Sequence, residues 1–134
     1  MARYIEDLLA GIFSFIPKEN RYYRQKSMQE WYDFFYELRE QYSVLEMIRF
    51  RDRGGVVDSR QLNQAHSNIS GCCMTSWGYD FDPFEIKTET CKKIFEKYRS
   101  AFTPDEIRQI QAIAKKYIER FCITEKESEF GLSR

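Results

Sequence analysis

The sequence predicts an all-α fold: a single-domain bundle of four main helices with an irregular, aromatic-rich middle segment. Apolar residues recur at helical spacing in four separate stretches. Start signals of the capping-box kind stand before three of them. A hydrophobic share of 43% in 134 residues suits one core. Helices with a single apolar stripe must bury those stripes against one another, and the outcome is a bundle. Residues 1–124 are the expected domain and residues 125–134 a polar tail.

The first helix is read from Ile5, Leu8, Leu9, Ile12, Phe13 and Ile16, which share one face, and Pro17 stops it. Residues 18–26, basic and tyrosine-bearing, form a linker. Ser27 and Glu30 make the next capping box, and Trp31, Phe34, Phe35, Leu38, Tyr42, Leu45 and Ile48 extend the stripe for about five turns. This predicts the longest helix, closed by the glycines of Arg53-Gly54-Gly55, because glycine enters the left-handed region that ends a helix. Asp58 or Ser59 starts a short helix through His66, which Ser67–Gly71 interrupts.

Asp82 as cap, Pro83 at the first position and Glu85 as reciprocal partner, with Phe81 and Ile86 as staple, predict the third main helix over 83–100. The fourth runs from Pro104 to Phe121. Thr103 caps it, Glu106 completes the box, and Phe102 staples to Ile107.

Composition excludes several function classes. Twenty-one Lys+Arg balance 21 Asp+Glu, so no global charge draws the chain to nucleic acid or an anionic membrane. The longest apolar stretch, residues 8–16, is far shorter than the roughly 20 residues that span a bilayer. The first residues, with Glu6 and Asp7, do not read as a secretory signal. The cysteines at 72, 73, 91 and 122 lack a disulfide-framework spacing and read as reduced thiols of a cytoplasmic protein.

The candidate chemistry is sparse. No metal is expected, because adjacent Cys72 and Cys73 do not form the knuckle spacing that places two thiolates on one zinc, and Cys91 and Cys122 fall on apolar stripes. Gly54-Gly55 lacks both the Walker pattern and the dinucleotide fingerprint, so no nucleotide cofactor is expected. Paired acids such as Glu37 and Glu40 sit among basic residues at helical spacing, as on a solvated face. Arg21, Arg24, Arg49 and Arg53 interleave with aromatics, which is the composition of a nucleic-acid surface, but the neutral total disfavours that partner.

The only histidine, His66, follows Arg60 at an Arg-x5-His spacing. The pair resembles the Arg-x4-6-His signature of HEPN-domain ribonucleases, small helical bundles that dimerise to bring two such motifs together. The resemblance covers seven residues, and Gln61 stands where that family often has Asn, Asp or His. It implies a metal-independent ribonuclease in which His66 moves a proton and Arg60 steadies charge on phosphate, with a homodimer as the working unit.

The expectation preferred over that enzyme rests on aromatic excess, 16% of the chain. Tyr22, Tyr23, Tyr32, Tyr36, Trp77 and Tyr79 fall off the stripes, so some should be exposed. Trp77, Tyr79 and Phe81 edged by Asp80 and Asp82 have the makeup of a protein-binding patch. The sequence therefore predicts a non-enzymatic module with no catalytic residue and no cofactor. By size and simplicity it is of the inhibitor, immunity-protein or antitoxin type, and its partner is a protein such as a toxin or nuclease.

Overall fold

The structure is a computed structural model, and it describes residues 4–72, 74–77 and 83–124. The expected tail, 125–134, and the segment 78–82 lie outside these residues. The fold is not all-α and not a four-helix bundle. It is mixed, with five α-helices and two small antiparallel sheets among the described residues.

In chain order the elements are α1 (Ile5–Ser14), β1 (Tyr22–Tyr23), α2 (Met28–Leu38), β2 (Arg51–Arg53), β3 (Val56–Asp58), α3 (Arg60–Gly71), β4 (Thr75–Trp77), β5 (Phe84–Ile86), α4 (Thr88–Tyr98), α5 (Pro104–Phe121) and β6 (Cys122–Ile123). Single 3-10 turns cover Lys18–Asn20, Ser43–Met47 and Arg99–Ala101. The larger sheet has the order β4-β5-β1-β6, and β2-β3 is a separate hairpin.

Helix α1 is more than amphipathic. Ile5 and every residue from Asp7 to Phe13 are buried, which makes it the central helix. Gly11 lets α4 approach closely: a Cβ there would stand 2.8 Å from Cε1 of Phe95. Around it the core collects Tyr23, Trp31, Phe35, Leu45, Leu62, Ile69, Ile110, Ile113 and Tyr117, all fully buried.

Five expectations about individual elements are corrected. The long second helix ends at Leu38; of its remaining stripe residues, Tyr42 is half-buried, while Leu45 and Ile48 reach the core from a 3-10 turn and an extended segment. A stripe fixes which residues face inward but not that one helix carries them all. Ser27 makes no side-chain cap; Glu30 instead accepts from the Lys26 amide at 2.7 Å. Gly54 and Gly55 do not close a helix. With φ of 63° and 93° they form the two-residue turn between β2 and β3, a use of left-handed glycine that needs the same dipeptide.

The helix expected from Pro83 begins only at Thr88, because residues 84–86 are spent as β5, paired on both edges, with β4 through Trp77 opposite Phe84 and with β1 through Tyr22 opposite Glu85. Its proposed cap and staple residues, Asp82 and Phe81, lie outside the described residues. In the other direction, α3 is longer than read. Ser59 accepts from the Leu62 amide at 3.1 Å, and the helix continues through Ser67–Gly71 because Ile69 is buried. The α5 start is as read, with the Thr103–Glu106 box complete and Pro104 at the first position.

Candidate functional site

The two residues of the Arg-x5-His motif both lie on α3, but the structure does not bring them together. Arg60 opens the first turn, is exposed, and lines an open cleft of about 440 Å³ with Tyr4, Ile5, Glu6, Met47, Gln61 and Gln64. His66 is half-buried elsewhere. Its ring meets Trp31 edge-on at 4.6 Å and Phe84 at 5.6 Å, and Nε2 bonds to Oε1 of Gln25 at 3.0 Å. Burial lowers its pKa, so the imidazole is neutral at physiological pH. The six-residue separation along a helix is about 9 Å of rise and a third of a turn out of phase, which accounts for the divergence.

Behind His66 the aromatic junction deepens. Trp31 Nε1 donates to the Tyr117 hydroxyl at 3.1 Å, and Tyr23 stacks on Phe84 at 5.0 Å and meets Tyr117 edge-on at 5.6 Å. The Tyr23 hydroxyl lies close enough to Tyr117 to influence its titration, yet it is buried without hydrogen-bond geometry to any partner. Desolvation raises both phenols well above their ordinary value. Tyr23, read as an off-stripe aromatic, is thus at the centre of the core, while Tyr22, Tyr32 and Tyr36 are half-buried.

The thiols of Cys91 and Cys122 are pushed up to about 12 by burial, so neither is a ready nucleophile. Among the described residues no group of His, Cys, Asp and Glu is placed to hold a metal.

The basic islands divide in the same way. Arg21 is spent in the sheet, its Nε donating to Glu85 at 3.1 Å while Lys87 Nζ reaches the same carboxylate at 2.8 Å. Burial pushes the Glu85 carboxyl up, but these two cations outweigh it and hold it below the usual range. Arg24, Arg49 and Arg53 are exposed.

The site that sequence reading missed is a second open cleft, about 510 Å³, between the end of α2 and the chain entering β2. Tyr36, Arg39 and Glu40 form one side, and Leu45, Glu46, Ile48, Phe50 and Asp52 the rest. The guanidinium carbon of Arg39 lies 3.9 Å from the Tyr36 ring centre, and Phe50 meets that ring edge-on at 5.3 Å. Arg39 Nε is buried with no hydrogen-bond partner, and no carboxylate pairs with the side chain among the described residues. The Tyr36-x-x-Arg39 spacing, one helical turn, was the available signal.

Met47 faces the Arg60 cleft while Glu46 and Ile48 face this one, so the 43–48 turn separates two adjoining hollows. Tyr4 on one side and Val56 in the hairpin are each 61% exposed.

Of the expected protein-binding residues, Trp77 has its backbone in β4, an outer strand of the larger sheet. Tyr79, Asp80, Phe81 and Asp82 lie outside the described residues, in the segment flanked by β4 and β5. No helix among the described residues is long and apolar enough to cross a membrane. No family model matches the chain, and neither a curated protein nor a solved structure resembles it.

Proposed function

We propose that the protein is a non-enzymatic binding module that blocks a partner protein in the cytoplasm, as small inhibitors, immunity proteins and antitoxins do. The observation that carries this reading is the cleft in which Arg39 lies on Tyr36 beside Phe50 with its charge unpaired. Arginine and tyrosine supply a disproportionate share of interface energy, because they combine a broad rigid contact face with directional polar tips. A guanidinium already held by an aromatic ring loses little freedom on donating to a partner's backbone carbonyls. In this reading the Trp77–Asp82 segment is a second contact, its acids meeting cations of the partner.

The ribonuclease alternative draws no support from the placement of its residues, since His66 is occupied by Gln25, Trp31 and Phe84 and Arg60 faces another cleft. The test is capture from native cells with wild type, Arg39→Ala and Trp77→Ala side by side, each with and without RNase treatment. The expected result is one stoichiometric, RNase-insensitive protein that Arg39→Ala loses. Equal capture of that protein by both variants overturns the siting. RNA cleavage by the purified protein that His66→Ala abolishes overturns the function.

A further inference from the structure

We infer that the open edge of β2 takes up an extended, acidic segment of a partner protein as a third strand of the hairpin sheet. The inference rests on the protein-binding reading and names the chemistry of the partner. Among the described residues β2 pairs only with β3; across the two-residue turn Arg51 and Arg53 direct their backbone groups at β3, so the open edge presents the N–H and C=O of Asp52, and all three residues of the strand are exposed. β3 is not available in the same way, since Val57 is buried and the Val57 carbonyl already accepts from Gln29 of α2 at 2.9 Å.

Alternation gives the ribbon from 48 to 53 two different faces. Ile48, Phe50 and Asp52 line the cleft beside Arg39. Arg49, Arg51 and Arg53, between them, are exposed. Residues two apart on a strand are about 6–7 Å apart, so this is a row of three guanidinium groups in register with every second residue of an added strand. Arg51 is engaged across the hairpin by Asp58 at 2.9 Å, whereas the Arg49 and Arg53 side chains have no partner among the described residues.

The added strand is thereby specified on both faces. Its outward row carries carboxylates against the arginines, and its inward row carries apolar residues against Phe50, because Glu40, Glu46 and Asp52 in the cleft repel acids. A second copy of this chain does not meet the pattern, since antiparallel pairing of β2 with itself about Asp52 sets Arg51 against Arg53. Nucleic acid would use the arginines but not the backbone edge, so a protein strand accounts for more of the surface.

The test uses the full chain and fluorescence anisotropy with four labelled probes: the peptide Ac-Glu-Val-Glu-Val-Glu-Val-Glu-amide, its lysine counterpart, the acidic peptide N-methylated at alternate residues, and oligouridylate RNA. The acidic peptide is expected to bind at least about tenfold more tightly than the lysine and N-methylated forms, and more weakly as salt rises. Arg49→Glu with Arg53→Glu should weaken it about tenfold, while Arg49→Lys with Arg53→Lys should keep most of the affinity. Should the glutamate pair fail to fold, the comparison between probes on the wild type decides alone.

Equal binding of the N-methylated peptide overturns strand addition. So does absence of peptide binding, and so does tighter binding of the RNA with the same arginine dependence. If an Arg39-dependent protein is still captured from cells while the peptides fail, the strand is wrong and the protein-binding reading stands.

Discussion

The aromatic junction around Trp31 and the cleft around Tyr36 are built from nearly the same kinds of residue, yet they do opposite things. Both belong to α2, a turn or so apart. At the junction, Trp31 is fully buried, its N–H is satisfied by Tyr117, and His66 and Phe13 close around it. In the cleft, Tyr36 is half-buried and holds a cation that makes no ion pair among the described residues. The difference teaches that aromatic content says little until one asks where each polar tip goes. A satisfied tip makes core, and an unsatisfied one beside open space makes a surface that can engage a ligand.

The largest effect is expected at Trp31. Trp31→Ala removes a fully buried ring and leaves the Tyr117 hydroxyl without its donor, so it should cost about 3–5 kcal/mol and bring the chain close to unfolding, as read by urea denaturation. A loss below about 1 kcal/mol would mean that the junction is not the keystone described here.

A subtler probe is acid. Because burial holds the His66 pKa below its ordinary 6.5, both folded and unfolded chains have a neutral imidazole above that pH, and the contribution of this residue to stability is then complete. As pH falls through 6.5 and on through the lowered folded value, the unfolded chain takes up the proton first and that stability is lost. Thermal unfolding of wild type should therefore fall between pH 7.5 and 5.5 more steeply than that of His66→Gln. Parallel curves for the two proteins would place the imidazole in water.

The smallest stability effect belongs to the cleft. Arg39→Ala should change unfolding free energy by no more than about 1 kcal/mol, since it loses one cation–π contact and no ion pair, while removing the binding assigned to it. A large destabilisation would move Arg39 into the same class as Trp31.

Much of the helical framework was legible in the sequence, because α1 and α5 carry long apolar stripes and, at Thr103, a complete capping box. The strands were not, and the reason is their length. Tyr22–Tyr23 is two residues, too short for an alternating pattern to declare itself. Gly54-Gly55 was ambiguous in principle, since a helix end and a tight hairpin both ask for left-handed backbone. Glu85, read as the closing partner of a helix cap, is taken by Arg21 from far away in the chain, and local spacing cannot reveal that. The site fared similarly. Arg60 and His66 were visible as a motif and diverge in space, whereas Arg39 drew no attention because an isolated arginine after an apolar run looks like solvated surface.

The two-residue strand β1 also has a consequence in time. β1 lies early in the chain, yet its neighbours are β5, beginning at Phe84, and β6, beginning at Cys122; the amide of Arg24 likewise waits for the carbonyl of Phe121. A ribosome making this protein releases Tyr22 and Tyr23 long before either flank of their pairing exists. The ring that belongs at the centre of the core must then be carried uncommitted until residues 84–85 and 122–123 have been made, and the sheet is sewn shut only after α5 has emerged. Pairings this distant in sequence are slow to form. During that interval the half-made chain shows proteases and chaperones the aromatics that the finished one hides.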